Sequence, residues 1–238
     1  MVIFFNKKTI FKSVFGILLA VSLALNISTK ENAVLTSATV LSTKTIIIDA
    51  GHGYPDGGAV GESGILEKDI NLSVSKHLGK LFVQCGSKVL YTRENDNSIA
   101  YTGEEKTIRE TKNQDMKMRK NIIDSSNADI FISIHTNKFE NEKYFGAQVF
   151  YDGDNGESKK LANCIQESLK TNLDTNNTRV AAKTNGNIYI LKNNEIPSVL
   201  IECGFLSNKD EEKLLSTELY RQKIAFAVFA GTMKYLSK

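Results

Sequence analysis

Two histidines and one glutamate stand where they could hold a metal ion. His52 lies between two glycines directly after an apolar run, and His135 ends another apolar run. Glu67 begins a helical pattern after Gly64. Catalytic zinc usually takes three ligands from His, Glu and Asp and leaves one position for water. His52, Glu67 and His135 are therefore candidate zinc ligands.

Residue type and spacing leave other interpretations of these residues open. A glutamate in the first turn of a helix is also favoured by the helix dipole, and a histidine at a strand end can be an ordinary polar residue. His77, the third histidine, shares a helix face with Ile70 and Val74. At about 1.5 Å per residue it lies roughly 15 Å along the axis from Glu67, too far to bind the same ion. We interpret His77 as a structural or rim residue.

A fourth candidate, Glu202, ends the apolar run Val199–Ile201. An isolated acid there is costly to bury unless it is paired or functional. Because side chains alternate along a strand, Cys203 is predicted to point away from Glu202 and to pack in the core. With His52 and His135 engaged by metal, no histidine is left to activate Cys203 as a nucleophile.

The segments that must position these residues alternate between strand and helix patterns. The β-branched run Thr45–Asp49 predicts a strand that is buried on both faces. Strands are also predicted at 88–91, 129–134, 147–151, 187–191 and 198–202, and helices at 66–85, 116–127, 157–173, 210–215 and 219–236. This alternation predicts a single-domain α/β fold, a mostly parallel twisted sheet with helices on both faces. Sites in such sheets gather at the carboxyl ends of strands, which would bring His52, His135 and Glu202 together.

Two polar segments, Glu94–Asp115 and Lys138–Tyr144, are predicted to be solvated surface loops. A docking surface or a wall of the substrate site is the alternative for each. Nothing in either segment indicates regular secondary structure.

The composition is typical of a globular protein. The 238 residues are 41% hydrophobic and 24% charged, with a net charge of +3. Basic residues are scattered among acidic ones, so no nucleic-acid partner is expected. Cys85, Cys164 and Cys203 are widely spaced and are predicted to be free and buried. One disulfide with a remaining thiol is the alternative.

The first thirty residues have the pattern of a secretory signal. Lysines precede an apolar run from Val14 to Leu25, which polar residues follow. The run is shorter than the roughly 20 residues that span a bilayer, but it lacks a clean small-x-small cleavage site. Residues 1–30 are predicted to be a signal peptide or a membrane anchor, residues 31–44 a linker and residues 45–238 the catalytic domain. The protein is expected to be exported across the cytoplasmic membrane and either secreted or membrane-anchored.

From Thr45 nearly to its end, the chain resembles the zinc-dependent N-acetylmuramoyl-L-alanine amidases, which cleave bacterial peptidoglycan. The resemblance rests on four blocks in the family's order, namely 48–53 with 56–59, 64–72, 128–135 and 197–208. Thr92, Arg93, Arg119 and Asn121 also fit the family's pattern. Two positions depart from it: Ala50 stands where proline is frequent, and Thr136 where a small alanine is common.

The resemblance implies a site and a reaction. His52, Glu67 and His135 would hold Zn²⁺, which polarises a water molecule. Glu202 would take a proton from that water as it attacks the lactyl amide, and would return a proton to the amine of L-alanine. The resemblance identifies no substrate-binding residues in this chain.

An export signal followed by a lone catalytic domain is most similar to the spore-cortex amidases of the CwlD type. These remove stem peptides so that muramic-δ-lactam can form for germination, which implies a location between the forespore and mother-cell membranes. Peptidoglycan and an accessory or targeting protein are the expected partners, beside a possible N-terminal membrane tether. A general autolysin or cell-separation amidase, a zinc carboxypeptidase and a non-catalytic wall-binding module are the alternatives.

Overall fold

The computed structural model describes residues 43–103, 107–153 and 155–237. The predicted signal segment 1–30 and most of the predicted linker lie outside the described residues. Within the described part of the chain, no helix combines the length and the apolar character that a membrane span requires.

Six strands form one sheet in the order β2-β1-β3-β6-β4-β5. Their bounds are β1 Thr45–Ala50, β2 Lys88–Tyr91, β3 Ile130–Asn137, β4 Gln148–Tyr151, β5 Ala182–Lys183 and β6 Ser198–Phe205. All neighbouring pairs are parallel except β4 with β6. The predicted mostly parallel α/β sheet is confirmed.

The described residues also contain five α-helices and one turn of 3₁₀-helix. The bounds are α1 Glu67–Gln84, α2 Ile108–Ser125, α3 Gly156–Asn172, α4 Lys209–Leu215, α5 Glu218–Leu236 and 3₁₀ Tyr189–Leu191. Helix α1 follows β1 and ends where Gly86, with a φ of 90°, turns the chain back towards the sheet.

Alternation along the strands divides the core between the two faces of the sheet. Ile46 and Ile48 of β1 pack in one cluster with residues of α1, α3 and α5. Ile47 lies in a second cluster with Ile123 of α2 and Ile190 of the 3₁₀ turn. Helices therefore cover both faces, as the sequence pattern predicts.

Two local predictions are wrong. Helix α2 begins at Ile108, inside the segment predicted to be a surface loop, because Thr107 and Glu110 form a reciprocal capping box. The stretch predicted as a strand at 187–191 instead forms the 3₁₀ turn, which leaves Tyr189 exposed and buries Ile190. Short apolar runs of this kind do not distinguish a strand from a helical turn.

Candidate metal centre

His52, Glu67 and His135 come together at the carboxyl ends of β1 and β3. Each offers one ligand atom, and the three atoms lie within 4.8 Å of one another. His52 Nε2 is 3.2 Å from one carboxylate oxygen of Glu67, and His135 Nδ1 is 3.0 Å from the other. Two imidazole nitrogens and a carboxylate form a donor set that suits zinc.

Backbone donors hold the Glu67 carboxylate in place. Its Oε2 accepts from the N–H of Ala59 at 2.9 Å, and its Oε1 accepts from the N–H of Thr136 at 3.1 Å. Burial raises the pKa of Glu67, but the hydrogen bonds from His135 and His52 outweigh it, so this pKa lies well below its ordinary value. The carboxylate is therefore held as an anion between the two imidazoles.

The absence of side chains at two glycines makes room for the two imidazoles. A Cβ added to Gly51 would lie 2.4 Å from both Cε1 and Nε2 of His135. A Cβ added to Gly58 would lie 2.6 Å from Oε2 of Glu67 and 2.8 Å from Cδ2 of His52. Larger residues at either position would displace members of the cluster.

Two buried arginines hold the carbonyl groups of the loop that carries His52. Arg119 donates to the carbonyl of Ala50 at 2.7 Å and to that of His52 at 2.6 Å. Arg93 donates to the carbonyls of Ala50 at 2.9 Å and Gly51 at 3.1 Å. Since these carbonyls are buried or half-buried, the guanidinium groups satisfy acceptors that would otherwise be left unpaired.

Asp49 pairs with the guanidinium of Arg119 beneath this loop. The Oδ1 of Asp49 accepts from Arg119 at 2.6 Å and from the hydroxyl of Thr92 at 2.7 Å, and its Oδ2 accepts from Ser133 at 2.6 Å. Burial raises the pKa of Asp49, but Arg119 and the two hydroxyls lower it to about 2. This buried network fixes the ends of β1 and β3 relative to α2.

Glu202 lies beside the cluster, on the strand next to His135. The two residues are register partners in β6 and β3. The Oε2 of Glu202 is buried and has no hydrogen-bond partner among the described residues. Burial raises the pKa of Glu202 to about 7, with a further contribution from the negative charge of Glu67. A carboxyl group with this pKa can accept and release protons near neutral pH.

An open cleft of about 200 Å³ borders the cluster. His52 and His135 lie on one side of it, and Lys112 and Met116 of α2 contribute to another. Ile190 of the 3₁₀ turn adds an apolar surface. The site is therefore accessible to a substrate that is larger than water.

The remaining sequence candidates lie away from the cluster. His77 is not among the residues that could hold this ion, and its Nε2 lies 2.6 Å from a carboxylate oxygen of Glu218. Cys203 is fully buried in the core cluster that packs against α1, and burial raises its pKa well above the ordinary value.

All three cysteines are free thiols, as predicted. Cys164 and Cys203 are buried, but Cys85 is partly exposed, so the prediction of burial is wrong for Cys85.

The two departures from the family's pattern leave the cluster intact. Ala50 is fully buried, and its carbonyl oxygen is the acceptor shared by Arg93 and Arg119. The hydroxyl of Thr136 donates to Oδ1 of Asn71 at 3.1 Å, which turns it towards helix α1. The Thr136 side chain therefore extends a hydrogen-bond network behind Glu67.

Comparison with known proteins identifies the family. The sequence profile described as N-acetylmuramoyl-L-alanine amidase matches residues 46–234. The chain belongs to this family. The amidase profile thus spans all of the described sheet except Thr45, the first residue of β1, and it includes every member of the cluster.

Individual amidases of the family are also similar to this chain in sequence and structure. The germination-specific N-acetylmuramoyl-L-alanine amidase of Bacillus subtilis (strain 168) is 41% identical over 198 residues, which cover 83% of this chain and 82% of that protein. The structure of the CwlD amidase from Clostridioides difficile, determined in complex with the GerS lipoprotein, is 51% identical with a TM-score of 0.79; the match covers 82% of this chain and 99% of that one. An N-acetylmuramoyl-L-alanine amidase from Clostridium difficile 630 is 29% identical, with a TM-score of 0.70 and coverage of 83% and 98%.

Several residues that shape this amidase site are not identified as site residues by the sequence reasoning. Asp56 contacts His52, Asn71 donates to Glu67, and Lys112 reaches the cleft from α2. Asp56 lies in one of the family's blocks, which was a usable signal. Lys112 lies in the segment 94–115, which was predicted to be a solvated loop; its place in the cleft agrees with the alternative that this segment forms a wall of the substrate site.

Proposed function

We propose that this amidase hydrolyses the bond between the lactyl group of muramic acid and L-alanine in spore-cortex peptidoglycan, with a zinc ion held by His52, Glu67 and His135. The observation that carries the proposal is the cluster of three ligand atoms within 4.8 Å of one another, next to a buried carboxylate oxygen of Glu202 that has no hydrogen-bond partner within residues 43–103, 107–153 and 155–237. The family match and the similarity to a germination-specific amidase support the substrate and the biological role.

Zinc fits the residues that are present. The site offers two imidazole nitrogens and one carboxylate, and the open cleft beside them leaves room for water and substrate. When bound, zinc supplies Lewis acidity, which acidifies water and polarises a carbonyl oxygen. The Glu67 carboxylate is already ionised, so it can bind a cation without losing a proton.

Glu202 carries the proton transfers in the proposed reaction. Its ionised carboxylate accepts a proton as water attacks the amide carbon, and it returns a proton to the amine nitrogen as the C–N bond breaks. One water molecule is consumed, and the products are a lactyl carboxylic acid and a peptide with a free L-alanine amine. The buried Oε2 of Glu202, to which no described residue forms a hydrogen bond, is the atom suited to accept and return this proton.

The cleavage products of purified muropeptides test the reaction. The expected products are a free stem peptide that begins with L-alanine and a glycan that has lost it. Glu202→Gln should retain its zinc and lose about 10²-fold or more in rate, since general acid–base catalysis contributes this much. Cys203→Ala is a matched control on the next residue, which faces the opposite side of the sheet.

The same digest separates the alternatives. Release of a single amino acid from the peptide's carboxyl end would indicate a zinc carboxypeptidase. Binding to muropeptides without any cleavage would indicate a wall-binding module. Full activity of Glu202→Gln would contradict the assigned role of Glu202 but not the amide specificity.

The cortex role is tested in spores of a deletion strain. Their cortex should lack muramic-δ-lactam, and their germination should fail, if this amidase prepares the cortex. A normal muramic-δ-lactam content together with impaired cell separation would favour the general autolysin or cell-separation alternative.

We further infer that the chain is exported and acts with an accessory protein. The signal pattern of residues 1–30 supports export, and the similarity to an amidase whose structure was determined in complex with a lipoprotein supports such a partner. Fractionation of cells that produce the full-length chain would test export. Co-elution in size-exclusion chromatography with a lipoprotein related to that partner would test the complex.

A further inference from the structure

The two histidines of the cluster are held in different ways. His135 lies on strand β3, and its ring packs directly on Gly51, where an added Cβ would come within 2.4 Å of the ring. His52 lies in a loop, and its backbone φ of 63° is a left-handed conformation that residues other than glycine adopt uncommonly. Gly58 packs against the edge of the His52 ring, where an added Cβ would come within 2.8 Å of Cδ2, but no strand holds the backbone of His52. A contact to a ring nitrogen is therefore needed to set the orientation of the ring.

Asp56 supplies that contact. Its Oδ2 lies 2.8 Å from Nδ1 of His52. An ionised carboxylate can only accept hydrogen bonds, so Nδ1 donates its proton to Asp56. Nε2 is then the nitrogen left to bind a metal ion, and it lies on the other side of the ring, 3.2 Å from Oε2 of Glu67.

The backbone around Asp56 is itself held firmly. The N–H of Gly53 donates to the carbonyl of Asp56 at 3.0 Å, and the N–H of Asp56 donates back to the carbonyl of Gly53 at 2.9 Å. The remaining carboxylate oxygen, Oδ1, accepts from the N–H of Gly58 at 3.1 Å. Asp56 is therefore held to Gly53 through its backbone and to Gly58 through its carboxylate.

Lys112 links this carboxylate to the opposite wall of the cleft. Its Nζ is 3.2 Å from Oδ2 of Asp56, the oxygen that also faces His52. The Lys112 side chain is 52% exposed, so its ion pair is screened by solvent. Helix α2 thus contacts the His52 loop through a charge pair as well as through the buried Arg119.

We propose that Asp56 is a positioning residue for the metal centre: it fixes the tautomer and orientation of His52 that present Nε2 to zinc, and Lys112 supports it. The inference rests on the proposed function, because it assumes that zinc binds to this cluster. Outer carboxylates that accept from a ligating imidazole typically change metal affinity by about 10–100-fold when they are removed. Asp56 touches no reacting atom in this arrangement, so its effect should be on metal binding first.

Zinc affinity of the full-length chain provides the test, measured by competition with a chelator of known affinity. Asp56→Ala should weaken zinc binding by about 10–100-fold. Lys112→Met should weaken it by about fivefold or less, as expected for the loss of a solvent-screened pair. Glu62→Gln, which removes an exposed carboxylate from the same loop, should bind zinc like the wild type.

Cobalt substitution gives a second readout that a merely structural role would not change. Saturating Co²⁺ should give Asp56→Ala a visible absorption spectrum that differs from that of the wild type, because the His52 ligand is no longer held in one orientation. Asp56→Asn keeps an acceptor oxygen and should lie between the two proteins in both measurements. If Asp56→Ala fails to fold without metal, the affinity of the folded Asp56→Asn variant decides the question.

The outcomes separate the two proposals. Wild-type zinc affinity and an unchanged cobalt spectrum in a folded Asp56 variant would overturn the positioning role and leave the amidase function untouched. A wild-type chain that binds zinc and has no amidase activity would overturn the proposed function. The zinc affinities of the wild type and the Asp56 variants would then decide the positioning role. A wild-type chain that binds no zinc would overturn both.

Discussion

His135 and Glu202 lie directly opposite each other on the adjacent parallel strands β3 and β6. The pairing places a candidate metal ligand and a buried carboxylate on the same face of the sheet, at the end where β1 delivers His52. The carboxylate of Glu202 is desolvated, whereas that of Glu67 is surrounded by donors. The environment thus suits Glu202 to proton transfer and Glu67 to binding a cation, in line with the proposed mechanism.

The pH dependence of hydrolysis should reflect Glu202. Burial raises the pKa of Glu202 from 4.5 to about 7, and the positive charge of a bound zinc ion would act in the opposite direction. Because the base must be ionised, kcat/KM should increase as the pH rises through an apparent pKa no higher than about 7. A profile that is flat from about pH 4 to about pH 8 would contradict this assignment.

Gly51→Ala should weaken zinc binding and amidase activity together. The new Cβ would lie 2.4 Å from the His135 ring, which must then shift from its present position beside Glu67. We expect zinc to bind about tenfold more weakly or worse, because changes that misplace a metal-ligating side chain reduce metal affinity by this much. Competition with a chelator measures the affinity. Gly57→Ala is the matched control, since its added Cβ would make an ordinary contact of 3.6 Å with Leu66. Equal zinc affinities for the two variants would show that the His135 ring tolerates the displacement.

Asp49→Asn should destabilise the fold by about 3 kcal/mol, because it leaves a buried guanidinium short of its partner. The pKa of Asp49 is lowered from 3.8 to about 2, so the ionised carboxylate contributes about 2 kcal/mol that the variant lacks. This contribution is fully present above about pH 4 and is lost as the pH falls through about 2. Urea unfolding measures this effect. The difference in unfolding free energy between the wild type and Asp49→Asn should become smaller as the pH falls from about 4 to about 2.

The control for this measurement is Asp124→Asn, which removes one partner of an exposed ion pair with Lys120. Its effect should remain below about 1 kcal/mol and should depend little on pH. A constant difference between wild type and Asp49→Asn from neutral to acid pH would mean that Asp49 does not titrate as the buried network requires.

His77→Gln should bind zinc and hydrolyse muropeptides like the wild type. His77 pairs with Glu218, whose side chain is 57% exposed, and such a pair contributes less than about 1 kcal/mol to stability. His52→Gln, by comparison, should lose most of its zinc affinity. Metal content after dialysis distinguishes the two variants, and loss of zinc from His77→Gln would contradict the interpretation of His77 as a structural residue.

The sequence determined the fold class and the residues of the candidate cluster. The run Thr45–Asp49 can be buried on both faces only inside a covered sheet, and the strand–helix alternation makes that sheet parallel. Parallel strands bring their carboxyl ends to one edge, so His52, His135 and Glu202 had to meet there. These conclusions depend on local patterns and on general rules of strand connection.

Only the tertiary structure decided the pKa values and the orientations of those side chains. The pKa of Glu202 depends on which neighbours remove its water, and the pairing of Asp56 with Lys112 joins residues that are far apart in the chain. Helix α2 was missed in its first turns because a capping box, rather than an apolar pattern, starts it. The two histidines are candidates because each follows a predicted strand, and Glu67 joins them through the resemblance to the amidase family. The contacts that orient these residues and set their charge arise only when distant segments pack together.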